Sequence, residues 1–328
     1  MGKVLITGIT GQDGSYLAED YLSAGWEVHG VVRRSSIIAR PRIDHLFSEN
    51  IGSNQQKVKL HYGDLSDFSA MVRAIDKVQP THVVNLGAQS HVAISFEVPI
   101  ETSLVTGIGA GALFEAVRIV NKDIRIYQAS SSEMFGGGAG RVKLDEKSTF
   151  DPKSPYAIAK LYAFYMAKTY RESYGMHISN GILFNHESPR RGENFVSRKI
   201  SKGVANIKCG KQEKLFLGNL EATRDWGHAR DYMRAVRIML EANEPDDYVV
   251  ATGESKSVRE FADAAFTLVG LNYRDYIEID PKLFRPNEVQ DLLGDPRKIQ
   301  NKLGWVPTVS FKNLVKEMVD ADMKITEG

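Results

Sequence analysis

The sequence predicts a doubly wound parallel α/β sheet carrying a smaller, mixed α/β lobe, and three observations predict it. Short β-branched runs alternate with helical stretches through residue 184, and a glycine-rich turn joins the first strand to the first helix. Beyond residue 185 the alternation gives way to mixed segments of arginine, glycine and asparagine. A return strand, Tyr248 to Ala251, rejoins the first sheet. The two units are therefore expected to interleave, residues 1–184 plus about 222–254 in one and about 185–221 plus 255–328 in the other.

The first strand, Val4-Leu5-Ile6, ends at Thr7. Then come the turn Gly8-Ile9-Thr10-Gly11-Gln12-Asp13-Gly14 and a helix on which Tyr16, Leu17, Tyr21 and Leu22 recur at helical spacing. Strand, tight turn and helix in that order present unpaired N–H groups and a positive dipole end to a pyrophosphate. Gly8, Thr10, Gly11, Gln12, Asp13 and Gly14 are therefore cofactor candidates, and the sheet is of Rossmann type. Glu27 to Val32 reads as the second strand, and Arg33-Arg34-Ser35-Ser36 follows it where an NAD enzyme usually places an acid on the ribose. Two guanidiniums and two hydroxyls suit a phosphate dianion instead, which favours NADP; the alternative is a solvated basic turn or a subunit contact involving Arg40 and Arg42. Val58 to Tyr62, His82 to Leu86, Ile124 to Ala129 and Ile178 to Phe184 read as further strands. Helices lie between them near residues 67–78, 100–120 and 155–174, with a late one from Ser257 to Leu268.

Composition agrees with a cytoplasmic enzyme. A net charge of +1 gives no broad attraction to nucleic acid or membrane. The single cysteine, Cys209, excludes an intrachain disulfide, and no apolar run is expected to reach membrane-spanning length or to form a signal peptide. His45, His61 and His82 show no metal-ligand spacing, so no metal is expected.

Chemistry concentrates in two runs. In Tyr156-Ala157-Ile158-Ala159-Lys160 the phenol and the ammonium stand one turn apart on one helix face. A free phenol has a pKa of about 10, so a neutral-pH base requires a shift of about 3 units, work that Lys160 and an oxidised nicotinamide can share. Gln128-Ala129-Ser130-Ser131-Ser132-Glu133 closes the fifth strand at the sheet edge where ligands bind. Ser131 can bond the substrate oxygen that Tyr156 deprotonates. Glu133 adds a second acid/base group, which permits proton removal beside a newly formed ketone.

The chain resembles the GDP-mannose 4,6-dehydratase family of the extended short-chain dehydrogenase/reductase superfamily. The likeness runs from the glycine turn through Arg33-Arg34-Ser35-Ser36, Asp64-Leu65, Asn85-Leu86-Gly87-Ala88-Gln89-Ser90-His91 and the Tyr156 helix to Arg285-Pro286-Asn287-Glu288-Val289. Its most diagnostic part is Gly181-Ile182-Leu183-Phe184-Asn185-His186-Glu187-Ser188-Pro189-Arg190-Arg191-Gly192-Glu193-Asn194-Phe195-Val196. The resemblance implies that Asp64, Leu65, Leu86, Ala88, Ser90, Tyr156, Lys160, His186 and Arg191 line the cofactor groove. It likewise implies that Asn185, Lys199, Arg224, Arg285 and Glu288, with Ser90, Ser131 and Glu133, hold a nucleotide sugar. Arg224 and Arg285 offer planar forks to a pyrophosphate, the alternative for each being an inter-lobe ion pair.

The implied reaction is NADP-dependent dehydration of GDP-mannose to GDP-4-keto-6-deoxymannose. It proceeds by transient oxidation at carbon 4, loss of water across carbons 5 and 6, and hydride return to carbon 6. Tyr156 serves as base at oxygen 4 and Glu133 as acid/base at carbon 5. Reduction of a retained keto product by NADPH is a secondary activity that the same Tyr156 permits. Another sugar-nucleotide epimerase or dehydrogenase of the superfamily is the alternative, and it would need no acid/base group at carbon 5; an idle NADP-binding protein is the third reading. The resemblance also implies a homodimer or homotetramer.

Overall fold

The computed structural model describes residues 2–35, 40–47, 58–137, 142–284 and 287–327, so the candidates Ser36 and Arg285 lie outside the described residues. In chain order the strands of the main sheet are β1 (Lys3–Thr7), β2 (Glu27–Val32), β3 (Val58–Tyr62), β4 (His82–Asn85), β5 (Arg125–Ser131) and β6 (Ile178–Leu183). After β7 (Asn185–Glu187), β8 (Leu215–Leu217) and β9 (Thr223–His228), the return strand β10 (Asp247–Val250) completes it. Pairing runs β10-β6-β5-β4-β1-β2-β3, with every neighbour parallel. The order reverses between β1 and β4, which opens a crevice at their carboxyl ends.

Side-chain alternation sorts the core into two layers. Val4 and Ile6 of β1 face Leu17 and Tyr21 of α1 (Gln12–Ser23) and, later in the chain, Met233 and Val236 of the helix Ala229–Glu241. Leu5 points the other way, toward Met71 and Ile75 of α2 (Phe68–Val78) and toward Leu113 and Phe114 further on. After α3 (Val92–Glu97), the chain runs through α4 (Pro99–Thr102), a π-helical stretch Ser103–Ile108 and α5 (Gly109–Asn121). Residues Pro99–Asn121 are long and apolar enough to cross a membrane by length and composition, which corrects the expectation that no run reaches that length. Half of its apolar window is buried, and the segment packs on α2 and on α6 (Pro155–Tyr174). Ser154 caps α6 by accepting from the Ala157 N–H at 3.1 Å, Pro155 takes the first helical position, and Gly175 at φ 66° ends the helix. This cap fixes where Tyr156 begins the helix.

The remaining elements are α7 (Val196–Lys208), α8 (Ala229–Glu241), β11 (Ser255–Ser257), α9 (Val258–Leu268), β12 (Ile277–Ile279), β13 (Asp291–Leu292), α10 (Arg297–Leu303) and α11 (Phe311–Glu327). Helices α7, α9 and α11 enclose a third core of Val204, Phe261, Phe266, Leu314 and Met318, with Trp226 of β9 inside it. Buried Asp322 of α11 joins Arg198 of α7 at 2.7 Å and accepts from Ser201 at 2.6 Å. Strand β9 pairs with β7, β11 and β13, so the end of β6 is continuous with the sheet that carries Arg224.

Candidate active site

The carboxyl ends of β5 and β6, strand β7 and the first turns of α6 surround a cleft of about 360 Å³. Ser131, Glu133, Tyr156 and Lys160 line it together with Leu86, Ala88, Ser90, Asp13, His186 and Arg191. So do Asn185, Lys199, Arg224 and Glu288. Ser131 ends β5 and caps the short 3-10 turn Ser132–Phe135, accepting from the Glu133 N–H at 3.3 Å. This turn swings Glu133 back into the cleft. The Ser131 hydroxyl also acts on the Tyr156 phenol, favouring its ionisation.

Tyr156 and Lys160 share one helix face as their spacing requires, yet the ammonium lies 5.8 Å from the ring centroid and donates to the Ala129 carbonyl at 2.8 Å. Burial pushes the phenol up to about 12, against the Ser131 hydroxyl, and the Glu133 charge reinforces the rise. Burial likewise pushes Lys160 down to about 8, with Asp13 opposing. At the phenol, burial thus outweighs the chain's own ionising groups, while the Lys160 ammonium stays beside the ring and meets the Ala129 carbonyl.

On the glycine turn, Gly8 takes φ 71°, and Gly11 starts α1 with no side-chain cap. A Cβ on Gly14 would lie 2.4 Å from the Gly8 carbonyl oxygen, so only glycine closes this turn. Thr10 sits at the apex, its carbonyl 3.5 Å from the Arg42 guanidinium. Gln12 and Asp13 reach across to β7: the Gln12 amide donates to the His186 carbonyl at 3.1 Å, and Asp13 meets the His186 ring at 2.9 Å. Beyond β2, Arg33, Arg34 and Ser35 are exposed. Asp64 folds onto Ser66, and Leu65 is buried under Gly87. These five lie off the cleft, in segments that follow the carboxyl ends of β2 and β3.

Arg191 is held by Glu187 at 3.0 Å and lies 3.6 Å over the Phe195 ring. Arg224, 6% exposed, donates to the Thr223 carbonyl at 2.8 Å and pairs with Glu288 at 3.5 Å. Burial lowers the Lys199 ammonium, with Asp280 opposing. The cleft also contains residues to which no role had been assigned: Glu187, His91, Phe195, Leu217 and Leu283. For Glu187 the available signal was position, because on an extended strand it follows Asn185 by two residues. Among the described residues no group of three or more His, Cys, Asp or Glu is placed to hold a metal ion. His82 instead bonds the Tyr21 hydroxyl at 2.8 Å, and His29 stacks on His61.

Comparison with known proteins agrees with this architecture. Among solved structures, dTDP-glucose 4,6-dehydratase of Bacillus anthracis in complex with NAD superposes with a TM-score of 0.86 at 20% identity, covering 100% of this chain and 98% of that one. The UDP-glucose 4-epimerase of Thermus thermophilus gives 0.82 at 27% identity, over 98% of each chain. The GDP-mannose 4,6 dehydratase 1 of Arabidopsis thaliana is 53% identical over 98% of this chain and 90% of its own length. The human GDP-mannose 4,6 dehydratase is 47% identical over 99% and 93%. The family profile for GDP-mannose 4,6 dehydratase matches residues 5–318, and with that span and these identities the chain belongs to the GDP-mannose 4,6-dehydratase family.

Proposed function

We propose that the chain converts GDP-mannose to GDP-4-keto-6-deoxymannose and water with NADP as its cofactor. The observation that carries this reading is the convergence of Ser131, Glu133, Tyr156 and Lys160 on one cleft with Lys199, Arg224 and Glu288. A simple dehydrogenase has no use for a carboxylate beside its tyrosine.

The residues fit the cofactor. The uncapped start of α1 leaves backbone donors for a pyrophosphate, the Gly14 contact keeps the turn too tight for a side chain, and Arg33, Arg34 and Ser35 stand where a 2′-phosphate needs cations and hydroxyls. Gly8, Thr10, Gly11, Gln12, Asp13 and Gly14 would hold the pyrophosphate, while Asp64, Leu65, Leu86, Ala88, Ser90, His186 and Arg191 line the rest of its path. When bound, NADP accepts hydride from carbon 4 and returns it to carbon 6.

Tyr156 takes the proton from oxygen 4, with Ser131 bonding that oxygen. The ketone so formed acidifies the hydrogen on carbon 5, which Glu133 removes. The same carboxyl then gives its proton to the departing hydroxyl at carbon 6, and water leaves; with hydride restored to carbon 6, a proton drawn from solvent returns to carbon 5. Lys160, beneath Tyr156, supplies a positive charge to the developing phenolate. Arg224 and Lys199 hold the GDP pyrophosphate, Glu288 accepts from a ribose hydroxyl, and Asn185 orients the hexose; these remote contacts hold the sugar through successive steps.

Incubation with GDP-mannose in deuterated water tests the reading. The product is expected to weigh one water less than the substrate and to carry solvent deuterium at carbon 5. A product that keeps all its oxygen sinks it in favour of an epimerase or dehydrogenase.

One observation favours a second activity. A phenol held up at about 12 carries its proton at neutral pH, so Tyr156 holds the proton that oxygen 4 of a retained ketone takes up when NADPH is supplied. Purified keto product with NADPH is then expected to yield a GDP-6-deoxyhexose; unchanged nicotinamide absorbance and no new sugar rule that out.

The assembly read for this chain is a homodimer or homotetramer. Ile100, Leu104 and Ile108 of the 99–121 segment are exposed, as are Ile158, Tyr162 and Tyr165 of the adjoining α6, and a second copy presenting the same face would cover this apolar row. Sedimentation of the wild type and of Ile158→Glu tests it, a monomeric wild type being the refuting result.

A further inference from the structure

An acid in a phosphate-binding turn needs explanation, because its charge repels the ligand that the turn is built to receive. Asp13 lies in the first turn of α1, whose N-cap Gly11 makes no side-chain cap bond. Its partner is His186, 173 residues away on β7, a ring held at both nitrogens. His186 Nδ1 stands 2.7 Å from the Phe184 carbonyl oxygen, which can only accept, so Nδ1 carries a proton. Nε2 stands 2.9 Å from Asp13 Oδ2. Asp13 accepts from the Gln12 amide through its other oxygen at 3.0 Å, and against burial His186, Gln12 and Arg191 together hold this carboxyl at about 2, so the proton shared at 2.9 Å belongs to Nε2.

The ring cannot turn away. It stacks on Tyr232 of α8 with centroids 4.9 Å apart, and a second tether runs beside it, from Ser188 Oγ to the Gln12 side-chain oxygen at 2.8 Å and from the Gln12 amide to the His186 carbonyl. Arg191, Lys160, Tyr127, Tyr156 and Tyr232 are the other titratable groups facing the pair. Burial and Arg191 disfavour the charged ring, and Asp13 outweighs them, so the imidazole is raised while the carboxyl is held near 2.

We propose that His186 is a standing imidazolium whose task is to cancel the charge of Asp13, so that the glycine turn, bolted to β7, presents only donors to the cofactor pyrophosphate. His186 is then a positioning residue that acts through Asp13. The inference rests on the reading of this turn as the NADP site.

The experiment is a double-mutant cycle on NADPH affinity, read by fluorescence titration without substrate. His186→Asn leaves the carboxylate uncompensated and is expected to weaken NADPH binding about 10- to 100-fold, the range one unit charge produces at a near-surface dielectric. Asp13→Asn together with His186→Asn is expected to recover affinity to within about 3-fold of wild type, because the charge to be cancelled is gone. A double variant as weak as His186→Asn overturns the proposal, since the ring would then act by touching the cofactor. Nitrogen-15 NMR of the cofactor-free wild type gives a readout independent of ligand and of variant folding: both His186 nitrogens are expected to be protonated at pH 7, and one bare nitrogen there overturns the proposal. A wild type that binds NADPH no better than NADH refutes the NADP reading alone and leaves the ring charge to be decided by NMR.

Discussion

Exchange of Glu133 for Gln should separate oxidation from elimination. The amide keeps the shape of the side chain but cannot take the proton from carbon 5, and a positioned general base contributes about 10²- to 10⁴-fold, or roughly 3 to 5 kcal/mol of barrier. The phenol moves the other way. The Glu133 charge helps hold Tyr156 up at about 12, so removing that charge favours the phenolate and lowers the phenol's pKa. Oxidation at carbon 4 is governed by that phenol and should set in at lower pH in Glu133→Gln than in the wild type. Rapid mixing with GDP-mannose, followed by nicotinamide absorbance and mass analysis, reads both effects. The expected pattern is reduced cofactor that builds up and persists, little loss of water, and a pH limb displaced downward. Water loss at more than about a tenth of the wild-type rate would refute the role of Glu133 at carbon 5. An upward limb would refute the electrostatic argument.

Three further outcomes follow from the packing. Gly14→Ala drives a Cβ to 2.4 Å from the Gly8 carbonyl oxygen and 2.5 Å from Ile9 Cα, both backbone, so NADPH titration should show lost binding even where circular dichroism shows a folded chain. Asp322→Ala strands the Arg198 guanidinium, 8% exposed, between α7 and α11 and should reduce stability by about 3 to 5 kcal/mol in urea unfolding, whereas replacing both partners by apolar residues should recover most of it. Lys160→Met should abolish turnover yet stabilise the cofactor-free protein. Burial lowers this lysine from 10.5 to about 8, so its charge costs about 3 kcal/mol at pH 7, a cost relieved as pH rises from about 8 toward 10.5; the urea midpoints of variant and wild type should converge there.

The sheet was legible because its strands are buried on both faces and therefore run as β-branched apolar segments of unmistakable length. Each of the seven formed, with ends within two residues of the expected ones. Beyond α6 only α9 was read, and α7, α8, α10 and α11 were not. Helix α7 carries Ile200, Val204 and Ile207 at helical spacing, but Arg198, Lys199, Lys202 and Lys208 thin the apolar signal, and α8 and α11 are similarly charged on their outer faces. The apolar run 99–121 failed in the opposite sense. Its length and mean hydropathy suffice to span a bilayer, and its contacts with α2 and α6 show what that apolarity serves.

The site divides along a similar physical line. Placements that depend on local geometry were readable: a glycine turn opening a helix, a tyrosine and a lysine one turn apart, a carboxylate after a strand end. The electrostatic state of the site was not, because it depends on burial and on pairs brought together across the fold. The sequence sets Lys160 one turn from Tyr156, but that its ammonium also meets the Ala129 carbonyl and that burial holds the phenol at about 12 follow only from the fold. The pairs Asp13 with His186 and Arg224 with Glu288 span 173 and 64 positions, and no periodicity links their members. Each places a carboxylate against the cation of a proposed ligand path. Sequence can therefore nominate the charged groups of such a site, but which of them face the ligand as net charges follows only once the fold has chosen their partners.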